Sequence, residues 1–137
     1  MESIITKNAI LKFAECISSQ DVEGISMLIT DDTVFVDSDG TITMGKVVME
    51  EGWRGYFSMF PDYRITIEDI MIDGDTGLMT GRASGTYNAG GKLLDENHWV
   101  IPAAWKAAVK NEKIQVWQLY ANINAVIDII KRADGED

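Results

Sequence analysis

Apolar residues recur every three or four positions in the first part of the chain, which is the spacing of one face of a helix. This pattern predicts a first helix over residues 3–17. A second helix is predicted to begin after Asp21, because its carboxylate can accept hydrogen bonds from the free amides of the first turn. The same spacing predicts a third helix between Gly45 and Phe60, and Pro61 cannot continue it.

Alternating apolar and polar residues indicate strands in much of the rest of the chain. A β-branched and aromatic run over residues 33–37 predicts a short strand, which ends at the turn-forming residues 37–40. A short closing helix is predicted after the last strand, with Asn122 or Asn124 as its cap. Between the third helix and the closing helix, four longer strands are predicted over residues 63–72, 78–87, 95–109 and 114–123.

Three details of these strands predict a bent sheet with room on one face. The alternation changes phase near Asp69, which is typical of a β-bulge that curves the sheet. One side of the next strand carries the small residues Gly81, Ala83 and Gly85, which would leave space above them. Pro102 cannot donate to the ladder, so the following strand is predicted to kink there. Open space on one face of a curved sheet is what a pocket needs.

The order of the elements predicts the fold class. Helices that come first and antiparallel strands that follow are typical of the α+β class, in which the helices cover one face of a bent sheet. A chain of 137 residues has the usual length of one domain. We predict a single domain over residues 1–133 and a short acidic tail over residues 134–137.

The charge of the chain excludes two classes of partner. Acidic residues outnumber basic residues by 22 to 12, which gives a net charge of −10. This charge repels nucleic-acid phosphates and anionic lipid surfaces, so no nucleic acid and no membrane is predicted as a partner. No apolar run approaches the roughly eighteen residues of a membrane span, and the N-terminus lacks the pattern of a secretory leader. A cytoplasmic protein is therefore predicted.

The sequence gives no sign of a metal or cofactor site. One Cys and one His are too few for a structural zinc site, which uses a full set of such ligands. The glycine-rich motifs that bind the phosphates of nucleotides are absent as well. We predict no metal and no cofactor, and we assign Cys16 to core packing in the first helix.

Several motifs, in the order in which they occur, resemble the nuclear transport factor 2-like superfamily, and within it the ketosteroid isomerases and SnoaL-like cyclases. Residues 21–37 resemble the second helix and first strand of those proteins, and Phe60-Pro61-Asp62 resembles the end of their third helix. Gly85-Thr86, Lys113-Ile114 and residues 117–122 resemble their later strands. The resemblance implies a cone-shaped, curved antiparallel sheet that wraps, with the N-terminal helices and a short C-terminal helix, around an apolar pocket.

Asp37 is the first candidate for a catalytic residue. It occupies the position of the carboxylate that transfers a proton in the ketosteroid isomerases that the chain resembles. A carboxylate at the end of a strand beside an apolar pocket could be desolvated and act as a general base. The alternative is a structural Asp that bonds the turn amides between Ser38 and Gly40.

Other positions depart from the patterns of these enzymes. Phe13 stands where the isomerases have an oxyanion-donating tyrosine, and Ala104 or Trp105 stands where they have a second acid. Losing one such donor costs about a hundredfold in rate, so faithful ketosteroid isomerase chemistry is not expected. Asn122 stands where SnoaL-like cyclases have a proton-transferring acid; an amide can orient a carbonyl but cannot carry the proton, and it could equally cap the last helix.

His98 is the only histidine and the second candidate for a catalytic residue. Strand alternation puts His98 and Trp99 on opposite faces of the sheet. If His98 faces the pocket, it could form an acid/base couple with Asp37. Otherwise it is a surface or structural histidine.

Aromatic and polar residues are predicted to line the pocket or the outer face of the sheet. On the last strand, the parity that contains Tyr120 and Asn122 is assigned to the pocket, and the opposite parity to a partner. Aromatic residues are enriched in protein interfaces, and the resemblance implies a homodimer through the sheet face. The full set of predicted pocket residues is Phe13, Trp53, Tyr56, Trp105, Tyr120 and Asn122.

Two functions follow from this reading of the sequence. The first is a cofactor-independent isomerase, cyclase or dehydratase that uses Asp37, with or without His98, to move a proton on a small lipophilic compound. The second is a module of the same fold that binds a lipophilic ligand or a protein without chemistry. The same fold carries many unrelated functions, so the chemistry has to be argued from the pocket.

Overall fold

Two helices form the N-terminal part of the computed structural model, which describes residues 1–135. The helix α1, Glu2–Ser18, buries one face that includes Phe13 and Cys16, and α2 spans Val22–Met27. The Asp21 carboxylate accepts a hydrogen bond from the amide of Gly24 at 2.9 Å, so the predicted cap of α2 is confirmed.

A hairpin and a third helix follow. The strands β1, Val34–Val36, and β2, Ile42–Met44, pair antiparallel around the turn at residues 37–41. The strand β2 was not predicted, because three residues are too few to show alternation. The helix α3, Lys46–Met59, begins after Gly45 and ends before Pro61, as the apolar spacing predicts.

The remaining chain forms four long strands and a closing helix, which are β3, Arg64–Asp73; β4, Thr76–Ala89; β5, Lys92–Lys110; β6, Lys113–Tyr120; and α4, Asn124–Ala133. The six strands lie in one sheet in the order β2-β1-β6-β5-β4-β3. All neighbouring strands are antiparallel except β1 and β6, which run parallel. The sheet is therefore mixed rather than antiparallel throughout. Parallel strands cannot be joined by a tight hairpin turn. β1 and β6 are accordingly far apart in the chain, with β2, α3 and β3 to β5 between them.

The predicted bulge in β3 is confirmed, because the register with β4 shifts between Ile67 and Asp69. Gly81 lies opposite this shift, and a Cβ there would collide with the carbonyl oxygen of Thr66. Gly81 thus permits close approach of two strands, and the prediction that it leaves open space is wrong. The space above Gly85 is also filled, since a Cβ there would lie 3.2 Å from the Trp99 ring.

The strand β5 continues through Pro102 without a break. Pro102 pairs with Arg82 in β4, whereas the pairing of β5 with β6 begins only at Ala104. Pro102, which has no amide N–H, therefore lies where β5 has a neighbouring strand on one side only. There it removes fewer hydrogen bonds of the sheet than it would between two strands.

The core lies between α1 and the inner face of the sheet. On β5 every second residue from Trp99 to Val109 is buried, and this strand contacts α1 and α4. The rings of Phe13 and Trp117 pack with centroids 4.8 Å apart. This arrangement confirms the predicted α+β fold, with helices against a curved sheet and a short C-terminal helix.

The C-terminal helix closes the described part of the chain. Asp134 follows α4 and accepts a hydrogen bond from the Tyr87 hydroxyl at 2.9 Å. Of the predicted acidic tail, residues 136 and 137 lie outside the described residues. None of the described helices has both the length and the apolar character needed to span a membrane.

Candidate functional site

The inner face of the sheet, together with α1, α3 and α4, encloses a cavity of about 390 Å³. Its wall is mostly apolar, and all four tryptophans of the chain contribute to it. The helix α4 covers one side through Val126, Ile127 and Ile130. A cavity of this size and character suits a small organic molecule. The aromatic residues of the wall are Phe35, Trp53, Tyr56, Phe60, Tyr63, Trp99, Trp105 and Trp117.

Asp37 is the only charged side chain among the described residues that line this cavity. It directly follows β1, and its Oδ1 accepts a hydrogen bond from the amide of Ser38 at 2.7 Å. The amide of Gly40 donates to the backbone carbonyl of Asp37 at 2.9 Å. Asp37 thus makes the turn hydrogen bond that the structural alternative expects, and it also lines the cavity.

Asp37 lines the cavity and is also exposed to solvent. The carboxylate therefore lies at the opening, and the burial that the sequence suggested for it is not observed. A ligand that enters the cavity would cover it and strengthen its electrostatic interactions.

Two phenols lie deeper in the wall. Burial raises the pKa of Tyr56, and the nearby charge of Asp37 raises it further. Burial also raises the pKa of Tyr63, with smaller contributions from Tyr56 and Asp37. The two rings meet edge to face, with centroids 4.8 Å apart. Both hydroxyls are protonated at neutral pH, as phenols ordinarily are, and a protonated phenol can donate a hydrogen bond.

Tyr63 was not predicted as a site residue. Its strand was recognised, but the sequence does not show which face of β3 is turned toward the helices. Tyr63 and Ile65 share one parity and both line the cavity, but alternation alone does not show that this parity faces inward.

His98 lies on the outer face of the sheet, outside the cavity. Its neighbour Trp99 takes the inner face and is only 4% exposed, so strand alternation turns His98 outward. The couple of His98 with Asp37 that the sequence suggested does not form. The His98 Nδ1 instead lies 2.8 Å from the Thr86 hydroxyl and 4.0 Å from the Asp62 carboxylate.

Asp62, Thr86 and His98 form a hydrogen-bonded chain on that outer face. The Asp62 carboxylate accepts hydrogen bonds from both the amide and the hydroxyl of Thr86, each at 2.6 Å. Because the Thr86 hydroxyl donates to Asp62, its oxygen is left to accept from the Nδ1–H of His98. The chain ties the segment after α3 to β4 and β5, behind the part of the cavity wall formed by Phe60 and Tyr63.

The structure divides the predicted pocket residues into two groups. Trp53, Tyr56 and Trp105 line the cavity together with Asp37. Phe13 is fully buried and packs in the core against Trp117 instead of lining the cavity.

The inward orientation predicted for Tyr120 and Asn122 is wrong. Tyr120 is 51% exposed, and Trp117 and Leu119 line the cavity in its place. Each side of β6 carries an aromatic residue, Trp117 on one side and Tyr120 on the other. The sequence of β6 alone therefore does not show which side is buried, whereas its pairing with β5 does. Asn122 lies at the start of α4, where its Oδ1 accepts a hydrogen bond from the amide of Asn124 at 3.0 Å. The predicted cap at Asn122 or Asn124 is wrong, because Ile123 is the N-cap residue of α4 and makes no side-chain cap hydrogen bond.

One further polar atom of the wall is notable. The indole Nε1 of Trp99 is buried and has no hydrogen-bond partner among the described residues. Within residues 1–135, no group of three or more His, Cys, Asp or Glu side chains is placed to hold a metal ion. The chemistry of the cavity therefore has to be argued from one carboxylate, two phenols and the aromatic wall.

A family model for the SnoaL-like domain matches residues 10–117. The chain therefore belongs to the SnoaL-like domain family. The match begins within α1 and ends in β6, so it includes most of the residues that form the cavity.

Solved structures with the same fold share little sequence with the chain. A protein from Shewanella denitrificans described as a SnoaL-like polyketide cyclase has a TM-score of 0.81 at 15% identity, covering 93% of this chain and 98% of that one. A protein from Jannaschia sp. with the same description has a TM-score of 0.81 at 13% identity, with coverages of 94% and 93%. An epoxide hydrolase from M. tuberculosis has a TM-score of 0.79 at 15% identity, with coverages of 98% and 96%. No curated protein matches the chain by sequence.

Proposed function

We propose that the cavity binds a small lipophilic carbonyl or hydroxyl compound in the cytoplasm and that Asp37 transfers a proton on it without a cofactor. The observation that carries this proposal is the position of Asp37 as the one charged group, among the described residues, on a mostly apolar wall. A carboxylate there can take a proton from a carbon next to a carbonyl group.

In this proposal, Tyr56 and Tyr63 supply the hydrogen-bond donors that are missing at Phe13 and Ala104. Proton removal next to a carbonyl places negative charge on the carbonyl oxygen, and hydrogen-bond donors lower the energy of that state. Phenols are protonated at neutral pH, and the upward shift in the pKa of both groups is consistent with this role. In this proposal the donors come from α3 and from the residue before β3, rather than from α1.

A single carboxylate favours isomerisation over cyclisation or dehydration. In an isomerisation the same group can take a proton from one carbon and return it to another, so no second proton carrier is needed. His98 could have been such a carrier, but it lies on the other face of the sheet. Asp37 alone is sufficient for the simplest of the three reactions.

The proposal is tested first by ligand discovery. The protein is screened by thermal shift against small lipophilic ketones, hydroxyketones, steroids and fatty acids. A ligand at one hundred times its dissociation constant adds about 2.7 kcal/mol to the free energy of unfolding, which the melting temperature reports. Ketones and hydroxyketones are expected among the compounds that raise it.

Turnover of the compounds that bind is then compared in Asp37→Asn and Asp39→Asn. Removing a general base lowers the rate by about a hundredfold or more, so Asp37→Asn should lose this much. Asp39 lies on the same turn and carries the same charge, but it does not line the cavity, so Asp39→Asn is the matched control. An unchanged rate in Asp37→Asn contradicts the proposal.

Binding without chemistry is the second candidate function. It is favoured by the hydrogen bond that already engages Asp37 with the amide of Ser38 and gives this carboxylate a structural task. It predicts that a ligand found by the screen is recovered unaltered after long incubation. A product formed by the wild-type protein and not by Asp37→Asn decides for catalysis.

A further inference from the structure

The charge on the cavity wall is unbalanced. No Lys, Arg or His lines the cavity within the described residues, so the carboxylate of Asp37 faces it without a cationic partner. An anionic ligand would be repelled, whereas a cationic group would be attracted to the carboxylate. A neutral ligand has no charge to pair with the carboxylate and can only donate a hydrogen bond to it.

Aromatic rings surround the same end of the cavity. Phe35 lies two residues before Asp37, and Trp53 packs against it with ring centroids 5.9 Å apart and an angle of 79° between the planes. Tyr56 lies on the other side of Trp53, with centroids 6.3 Å apart and an angle of 87°. These three side chains, Phe35, Trp53 and Tyr56, form an aromatic corner.

The aromatic corner has the chemistry that attracts alkylated ammonium groups. The faces of aromatic rings carry partial negative charge, and all three side chains of the corner line the cavity. A cation within reach of several such rings is stabilised by each of them, Trp most strongly. Phe35 and Asp37 are two residues apart at the end of β1, so their side chains point to the same side, and both line the cavity with Trp53 and Tyr56.

We infer that the cavity binds small lipophilic ammonium cations, with the positive charge beside Asp37 and the alkyl groups against the aromatic corner. The inference goes beyond the proposed function, because equilibrium binding of a cation requires no proton transfer. A bound ammonium group occupies the base and therefore competes with a neutral substrate.

The test compares choline with 3,3-dimethylbutan-1-ol, its neutral isostere in which carbon replaces the charged nitrogen. Calorimetry measures both affinities, and tryptophan fluorescence reports binding independently because every Trp of the chain lines the cavity. Wild-type protein should bind choline at least about tenfold more tightly than the alcohol. Equal affinities, or no binding of choline, would overturn the inference.

Variants identify the groups responsible. Asp37→Asn should reduce the preference for choline to less than about threefold while the alcohol still binds, and Asp39→Asn should retain the full preference. Retained binding of the alcohol shows that the cavity is intact. A preference that survives in Asp37→Asn contradicts the ion pair.

Trp53→Leu provides a second, independent test. It removes the central ring of the aromatic corner and should weaken choline more than the alcohol, whereas equal weakening of both contradicts a role of the corner in cation binding. If Asp37→Asn loses both ligands, the comparison of choline with the alcohol in Trp53→Leu still tests the inference. The proposed function fails separately, because it depends on the turnover of neutral compounds and not on these affinities.

Discussion

At the scale of single residues, the proposed chemistry of the cavity depends on three side chains, Asp37, Tyr56 and Tyr63. Asp37 was predicted from the resemblance to the ketosteroid isomerases and from its place at the end of the first strand, and Tyr56 from its place on an aromatic helix. Tyr63 could not be predicted, because a short strand pattern does not show which parity meets the helices. His98 was assigned a conditional role that depended on its orientation, and Trp99 determines that orientation by occupying the inner face.

Removing the phenol hydroxyls should slow catalysis without affecting the fold. For a substrate found by the screen, Tyr63→Phe or Tyr56→Phe should each lower kcat by about a hundredfold, because each removes a donor to the developing oxyanion. The measurement is steady-state turnover, with melting temperatures to verify folding. Tyr120→Phe is the matched control, since this tyrosine is exposed and lies outside the cavity. Equal rates in the wild type and both cavity variants would exclude the phenols from the reaction.

The hydrogen-bonded chain on the outer face should contribute to stability rather than to turnover. Thr86→Val removes the hydroxyl that bonds both Asp62 and His98, and it should lower the free energy of unfolding by about 1–2 kcal/mol. Urea denaturation measures this change. Thr80→Val is the control, because its exposed hydroxyl makes only one contact of 3.4 Å, to Asp69. A similar loss in both variants would show that the chain contributes nothing particular.

At the scale of helices and strands, the sequence predicted what long periodic patterns determine. The three N-terminal helices, the closing helix, the four long strands and the bulge near Asp69 all follow from apolar spacing. The strand β2 and the parallel pairing of β1 with β6 do not, because the first is too short and the second depends on contacts distant in sequence. The prediction of which β6 residues face the cavity was wrong because it, too, depends on contacts distant in sequence.

Gly81 provides a test of the close approach between β3 and β4. An added Cβ would collide with the backbone of Thr66, which cannot move without separating the strands at the bulge. Gly81→Ala should therefore destabilise the protein by about 3 kcal/mol or more, beyond the usual range of a point mutation. Gly55→Ala, on an open face of α3, should instead stabilise it by about 0.5–1 kcal/mol. Thermal unfolding of both variants checks the predicted difference in sign.

At the scale of the whole molecule, the SnoaL-like fold places a concave face around the cavity and leaves the opposite face of the sheet uncovered in the single chain. Leu78, Val100 and Tyr120 are each more than half exposed there. Exposed apolar side chains on a sheet face are typical of a protein interface. One face of the sheet therefore surrounds the cavity, and the outer face is the candidate surface for contact with another chain.

We expect this outer face to form a homodimer. Sedimentation should give twice the mass of the 15.2 kDa chain, and Val100→Glu should shift the protein toward the monomer by placing a charge in the interface. Met27→Glu changes an exposed apolar residue on α2 and should leave the mass unchanged. A monomer mass that does not depend on concentration would contradict the expectation.

The central claim is that Asp37 exchanges a proton with a molecule held in the cavity. Its most direct test is proton NMR of a ketone found by the screen, incubated with the protein in heavy water, where each proton that the carboxylate removes can be replaced by deuterium. The proposed function predicts deuterium uptake next to the carbonyl with the wild type and with Asp39→Asn, and uptake about a hundredfold slower or more with Asp37→Asn. Uptake at the same rate in wild type and Asp37→Asn, while the ketone is bound, would contradict it.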